Sequence, residues 1–441
     1  MILLFMSNFK SYERDQPLLM PIDLREWVAG DDLVHFITEA AERVDISAFH
    51  VSRTGAGKAQ YHPRMMLALL VYCYANGIFS SRRIEQATHR HISVRYITAN
   101  THPDPDTIAQ FRRANAAAFR AAFAQILMLA GETGLLKVGM VSVDGTKIDA
   151  NASKIKSLRY DRIQSLRAQL EADISELMAR AERADGDESG DGQTLPEEIS
   201  RRAALKTKLD AAAKRLEDRA RGGSGSNPDG DPDDPSPPPQ APKPDKQTNL
   251  TDPDSAIMRK SARHEYRQAY NAQAIVDADG SQLVLGTNVL GTSNDRAGFE
   301  GMIDALCAGL GKPDTLLADA GYASEKIVTA LAARGIDPLV AISRGDGARK
   351  YDFRPPPKHP KPSPNITAQW RLEMQKKLQT ENAKEKYRKR KSTVEPVFGI
   401  IKSVLGFRQF LLRGMQAVGH EWTLVCIGWN LKRLHRLRLA A

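Results

Sequence analysis

The strand-like runs of this 441-residue chain fall in two groups, and the residues between them, 155–250, carry no strand pattern. The first group is one short apolar run, VGMVSVDG, within the segment 136–154, which reads as a first core strand ending on Asp144 and a glycine. The second resumes at Tyr270 to Asp277 and Gln282 to Leu290. It then alternates through a helix from Asp295 to Gly309, a strand from Thr315 to Asp319, a helix from Ser324 to Arg334 and a strand from Pro338 to Ile342. A sheet that uses all these strands must close across a long insertion. With the insertion skipped, the order predicts a mixed α/β core, one large sheet flanked by helices.

The insertion itself has two parts. Residues 155–220 are rich in Ala, Leu, Glu, Lys and Arg; Ile163, Leu170 and Leu177 keep heptad spacing, and Leu205, Leu209, Ala212 and Leu216 recur at three to four residues. A helical hairpin or coiled coil is expected, turning in the acidic stretch 185–193. Residues 221–250 hold 8 Pro and 4 Gly, a composition that predicts a disordered linker. The remaining core is assigned to 251–441, with a basic, Pro-rich loop at 349–364 before the final helices.

Residues 1–135 read as an all-α N-terminal region broken at Pro63, Pro103 and Pro105. The opening MILLFM is too short for a secretory signal and reads as a leader, with Met6 an alternative start. Ser80 and Ser81 before Arg82, Arg83 and Glu85 suggest a helix start, as does Asp104-Pro-Asp-Thr107 ahead of Arg112 and Arg113. Short helices of this kind fit a helix-turn-helix that presents those arginines to DNA, and they fit any small helical bundle equally well.

Charge and cysteine usage narrow the partners. The chain carries a net charge of +10, yet residues 371–441 alone hold 16 Lys+Arg against 5 Asp+Glu. That basic block points to a polyanion, although a solvated helix face has the same composition. Cys73, Cys307 and Cys426 lie far apart with no CxxC, so no disulfide framework or local zinc site is available and a reducing compartment fits. The longest apolar runs stop short of the ~20 residues a membrane span needs.

Three acidic residues carry the chemical argument. Asp144 stands at the end of an apolar strand before Gly145, and Asp319 follows Leu316-Leu317-Ala318 in the same way, where each could also serve as a turn cap. Ligands gather at the ends of strands in α/β sheets. Glu395 lies in Lys391-Ser-Thr-Val-Glu-Pro-Val-Phe-Gly-Ile-Ile-Lys402. Pro396 predicts a new helix beginning near Ser392 or Thr393, and Ser392-x-x-Glu395 also matches a capping box. Lys402 follows Glu395 by about two turns on one face. Converging carboxylates are what two-metal phosphodiester chemistry requires. Asp277 and Asp279 read instead as hairpin-turn residues, and Asp295 as a helix N-cap.

The segments VSVDGTKIDANAS, LLADAGYAS and RKRKSTVEPVFGIIK resemble the three catalytic segments of bacterial insertion-sequence transposases of the DDE type. The N-terminal YHPRMMLALLVYCYANGIFSSRRIEQATHR and the later TDPDSAIMRK look like the same family, so the likeness covers most of the chain. The resemblance implies a ribonuclease-H-like core, with Asp144, Asp319 and Glu395 binding Mg²⁺ (Mn²⁺ as substitute) for cleavage at element ends and strand transfer of the 3′-hydroxyl. It implies double-stranded DNA as partner, assembly at least as a homodimer with the insertion as a candidate contact, and a cytoplasmic, nucleoid-associated location. Lys402 matches the family's lysine, seven residues after the glutamate, and is a candidate DNA phosphate contact. The family's tyrosine and arginine positions hold Arg388 and Lys391 here, with Tyr387 and Arg390 each one residue earlier. All four are candidate phosphate contacts, and Tyr322, after Asp319, is a candidate for a phosphate or a flipped base. A metal-dependent nuclease without strand transfer, or a non-catalytic DNA-binding derivative, would share these features.

Overall fold

In the computed structural model the described residues are 23, 26, 28–51, 60–184, 195–221, 241–259, 265–342 and 368–440. The helices α1 (Leu33–Arg43), α2 (Pro63–Ala75), α3 (Ser81–Arg90), α4 (Ile92–Ile97), α5 (Pro105–Ala114) and α6 (Ala116–Glu132) precede the first strand. Asp32, Ser80 and Asp104 accept first-turn N–H groups as N-caps, and Pro63 and Pro105 open α2 and α5, where a missing N–H costs nothing. Helix α2 is apolar on nearly every side, because it is enclosed by α1, α4 and the last helix of the chain.

The rest of the chain gives β1 (Met140–Asp149), β2 (Ser157–Arg159), α7 (Tyr160–Ala184), α8 (Leu195–Arg221), β3 (Gln247–Asn249), β4 (Ala256–Met258), β5 (Arg267–Asp277) and β6 (Val284–Leu290). It continues with α9 (Phe299–Leu310), β7 (Thr315–Ala318), α10 (Glu325–Ala333), β8 (Asp337–Val340), α11 (Gln369–Gln379), α12 (Glu381–Gly399) and α13 (Met415–Ala440). The main sheet is mixed, in the order β4-β5-β1-β7-β8, with β6 sharing with β4 the edge of β5 away from β1. Strands β1, β7 and β8 are parallel, the last two joined through α10; β1, β5 and β6 are antiparallel. Strand β7 is buried along its whole length, as a strand covered on both faces must be.

Strand β1 does not end at Asp144. It pairs with β5 as far as Asp149 opposite Ala269, while its other edge pairs with β7 only to Ser142 opposite Leu317. The long antiparallel partner keeps it extended past the aspartate.

Helices α7 and α8 form the expected hairpin, with a small core of Ile163, Leu170, Leu209, Ala212, Ala213 and Leu216 separate from the main one. Leu205 departs from the expected seam and is 43% exposed. The expected acidic turn at 185–193 and residues 222–240 of the expected linker lie outside the described residues. The end of that linker is ordered: β3 pairs with β2 at the base of the hairpin, and Asn249 donates to the Ser153 carbonyl at 2.8 Å.

Two expectations for the final helices are overturned. Helix α12 does not begin near Ser392; it runs through Pro396 into a π turn, Ile400–Val404. A proline deprives the carbonyl four residues earlier of its helical N–H, and the Gln282 side chain donates to that Ser392 carbonyl at 3.0 Å. The capping box is absent, since Ser392 Oγ donates to the Lys389 carbonyl. The basic block of residues 371–441 is not a simple solvated helix face in α13 either. Residues such as Trp422, Val425, Ile427 and Leu431 are buried, and the helix packs on β6, α2 and α6. Two of its cations clamp the fold: Lys432 donates to the Ala75 carbonyl and Arg433 to that of Ser281, while Arg436 and Arg438 are exposed. No single helix among the described residues is long and apolar enough to cross a membrane.

Candidate functional site

The parallel register fixes where the two aspartates stand. Ser142 lies opposite Leu317, so the same register continued two residues puts Asp144 level with Asp319, just beyond the end of β7. Side chains alternate along a strand, so both point to the face carrying Met140 and Leu317, which Ala383 and Tyr387 of α12 cover. Each aspartate also accepts a nearby backbone N–H: Asp144 Oδ1 that of Gly145 at 2.7 Å within β1, and Asp319 Oδ1 that of Gly321 at 2.8 Å in the turn after β7. Burial, and then the neighbouring charge of Asp319, push the Asp144 carboxyl up to about 6.

Helix α12 supplies the opposing charge. Arg390 donates from Nη1 to Asp144 Oδ2 at 3.1 Å and approaches Glu395 Oε1 through Nη2 at 3.5 Å, with its side chain only 14% exposed. Tyr387, one turn earlier, donates its hydroxyl to the Ala318 carbonyl at 3.1 Å beside Asp319, and its ring lies under the Arg390 guanidinium. Lys402, in the π turn, donates to Thr146 Oγ1, two residues along β1 from Asp144 and on the same face. Arg388 and Lys391 are exposed on α12, and Glu395, whose side chain is 52% exposed, stands at the rim of the site, where it reaches Arg390.

Asp144 and Asp319 therefore come together at the sheet end, and Glu395 joins them through Arg390. Among the described residues no three His, Cys, Asp or Glu side chains converge closely enough to hold a metal ion. The Arg390 guanidinium takes the space between Asp144 and Glu395 and marks it as a place that favours positive charge. Carboxylate oxygens are hard donors, so the donor type, though not the present spacing, suits Mg²⁺ or Mn²⁺.

Two expected DNA contacts are corrected. Tyr322 is 0% exposed: the tight turn after Asp319 carries it to the opposite face of the sheet, where it packs on Phe299 and its hydroxyl accepts from Gln273. Arg112 is 7% exposed and donates to the Tyr74 hydroxyl and the Phe79 carbonyl. Arg113, Arg82 and Arg83 are exposed. Asp295 is not an N-cap, because α9 begins at Phe299 with Gly298 as its cap.

Asp295 instead belongs to the site, which the sequence did not indicate. Its Oδ1 accepts from Asn271 Nδ2 at 2.6 Å and pairs with Lys147 Nζ at 3.7 Å, and its carbonyl accepts from Gln273 Nε2 at 2.6 Å. Asn271 and Gln273 are both fully buried. The signal available was their spacing, two amides at i and i+2 in an otherwise apolar strand, which sets them on one face.

Residues 241–431 match a family model described as a transposase DDE domain, and residues 23–114 match one described as a transposase domain. The first spans Asp319, Glu395 and Lys402 but begins after Asp144, which the insertion separates from it. No curated protein and no solved structure matches the chain.

Proposed function

Because the chain belongs to the DDE transposases of insertion sequences, we propose that it cuts DNA at the ends of a mobile element and joins the freed 3′-hydroxyl to target DNA on a ribonuclease-H-like core. The observation that carries this reading is the level placement of Asp144 and Asp319 at the sheet end, with Glu395 and Arg390 facing them from α12.

Asp144, Asp319 and Glu395 would hold the divalent ions, which when bound lower the pKa of an attacking hydroxyl and screen the charge on the departing oxygen. Arg390, released from Asp144, turns to a phosphate, and Tyr387 holds α12 at the correct height through the Ala318 carbonyl. Lys402 fixes β1 against the π turn through Thr146, keeping the glutamate arm in register with the aspartates. Arg388 and Lys391 track the DNA backbone, and Arg82, Arg83 and Arg113 bind DNA from the helical N-terminal region. In the first step water adds to phosphorus as the 3′-oxygen leaves. In the second that 3′-hydroxyl adds to a target phosphorus as the target's own 3′-oxygen leaves.

Two element ends must be paired, so at least two copies act together, and the α7–α8 hairpin, with its own core and an exposed Met178, is the proposed contact. The test is a gel assay with element-end DNA and Mg²⁺ that resolves cleaved from joined product. Asp144→Asn should abolish both, and wild-type cleavage by that variant would sink the proposal. Cleavage with no joined product would identify a nuclease instead.

A further inference from the structure

The glycines that follow the two aspartates have a common neighbour. A Cβ at Gly145 would lie 2.8 Å from Asp295 Oδ1 and 2.6 Å from Asn271 Oδ1. A Cβ at Gly321 would lie 2.7 Å from Asp295 Oδ2. One carboxylate thus rests against the backbone just behind Asp144 and just behind Asp319, from the face opposite to α12. The segment that carries it is pinned on two sides: Gln273 donates to the Asp295 carbonyl, and Arg296 Nε donates to the Gly321 carbonyl at 3.4 Å.

This arrangement is costly unless it serves the site. The Asp295 side chain is only 19% exposed, and Lys147 at 3.7 Å offsets its charge incompletely. Asn271, which holds it, keeps a buried Oδ1 without a hydrogen-bond partner. A third carboxylate packed behind two others raises the repulsion among them, and a bound cation relieves all three together.

We infer that Asp295 is a positioning residue of the candidate centre: it sets the spacing of Asp144 and Asp319 through the backbone at Gly145 and Gly321 and adds the negative charge that strengthens divalent-ion binding. The inference rests on the metal role proposed above for Asp144 and Asp319.

Calorimetric titration of Mn²⁺ into the full-length protein without DNA tests it. Asp295→Asn keeps the shape and the Asn271 contact, and should weaken Mn²⁺ binding by about tenfold or more, as loss of a residue that orients metal ligands does. Metal-free melting of that variant should be unchanged or raised. Asp295→Asn binding Mn²⁺ like wild type while Asp144→Asn loses it would overturn the inference and leave the acidic triad standing. Wild-type Mn²⁺ binding in Asp144→Asn would overturn both.

Discussion

Arg390 and Asp144 lie 246 residues apart in the chain and 3.1 Å apart in the fold. The bond ties α12 to β1 and places a guanidinium among carboxylates that would otherwise repel one another. Arg390→Ala should destabilise the metal-free protein by about 1–3 kcal/mol, the cost of leaving a buried charged group without its partner. Added Mn²⁺ should then raise the melting temperature of the variant more than that of wild type, because the ion takes over the lost role. Equal Mn²⁺ shifts in thermal unfolding would show that Arg390 and the ion do not share a position.

The proline inside α12 gives a second prediction. Gln282→Ala removes the donor that serves the Ser392 carbonyl and should cost about 0.5–1.5 kcal/mol. Pro396→Ala restores an N–H to the same carbonyl. In the double variant the loss from Gln282→Ala should shrink, giving a coupling energy of about 1 kcal/mol in a denaturant-based double-mutant cycle. Additive effects would mean that the side chain and the proline are unrelated.

The core strands β1, β5, β6, β7 and β8 were legible because each is an apolar run bounded by turn residues, and their order through the insertion followed from skipping it. Asp144 and Asp319 were legible because each ends such a run. The three-residue strands β2, β3 and β4 were not, since so short a segment has no periodicity to read and owes its conformation to its partner. Helix α12 was misplaced because Pro396 is a local stop signal, and its cancellation by Gln282 lies 114 residues earlier in the chain. Arg112 and Tyr322 were assigned by residue type, while burial is a property of the assembled helices and sheet. Asp295 looked like a cap because its neighbours Asn294 and Ser293 favour helix starts; its proximity to two glycines in other segments exists only in the fold.

The raised carboxyl of Asp144 fixes the sign of a pH effect. Its folded value of about 6 lies above the ordinary 3.8, so the folded state binds the proton more tightly than the unfolded chain. Its contribution to stability is fully present below about pH 4 and is lost as pH rises through 6, a change of no more than about 3 kcal/mol. Asp144→Asn carries no such charge. Without metal it should melt above wild type at pH 7.5, with the gap closing toward pH 4. A gap that is constant across that range would remove Asp144 as its source.

Adjacent arginines on α5 should behave as opposites. Arg112 points inward, bonding Tyr74 at 2.8 Å, and lies near Glu421, whose carboxylate accepts the Leu411 and Leu412 N–H groups at 3.0 Å. These residues join α5, α2 and α13, so the cation holds the N-terminal helices to the helix that also packs on the sheet. Arg112→Ala leaves Glu421 buried without its opposing charge and should cost about 3–5 kcal/mol, seen as a large fall in melting temperature. Arg113 is exposed, and Arg113→Ala should change stability by no more than about 0.5 kcal/mol. If Arg113 touches a phosphate, that variant should instead bind DNA more weakly, with a salt dependence shallower by about one counterion. Equal melting temperatures for the two variants would disprove the buried role of Arg112.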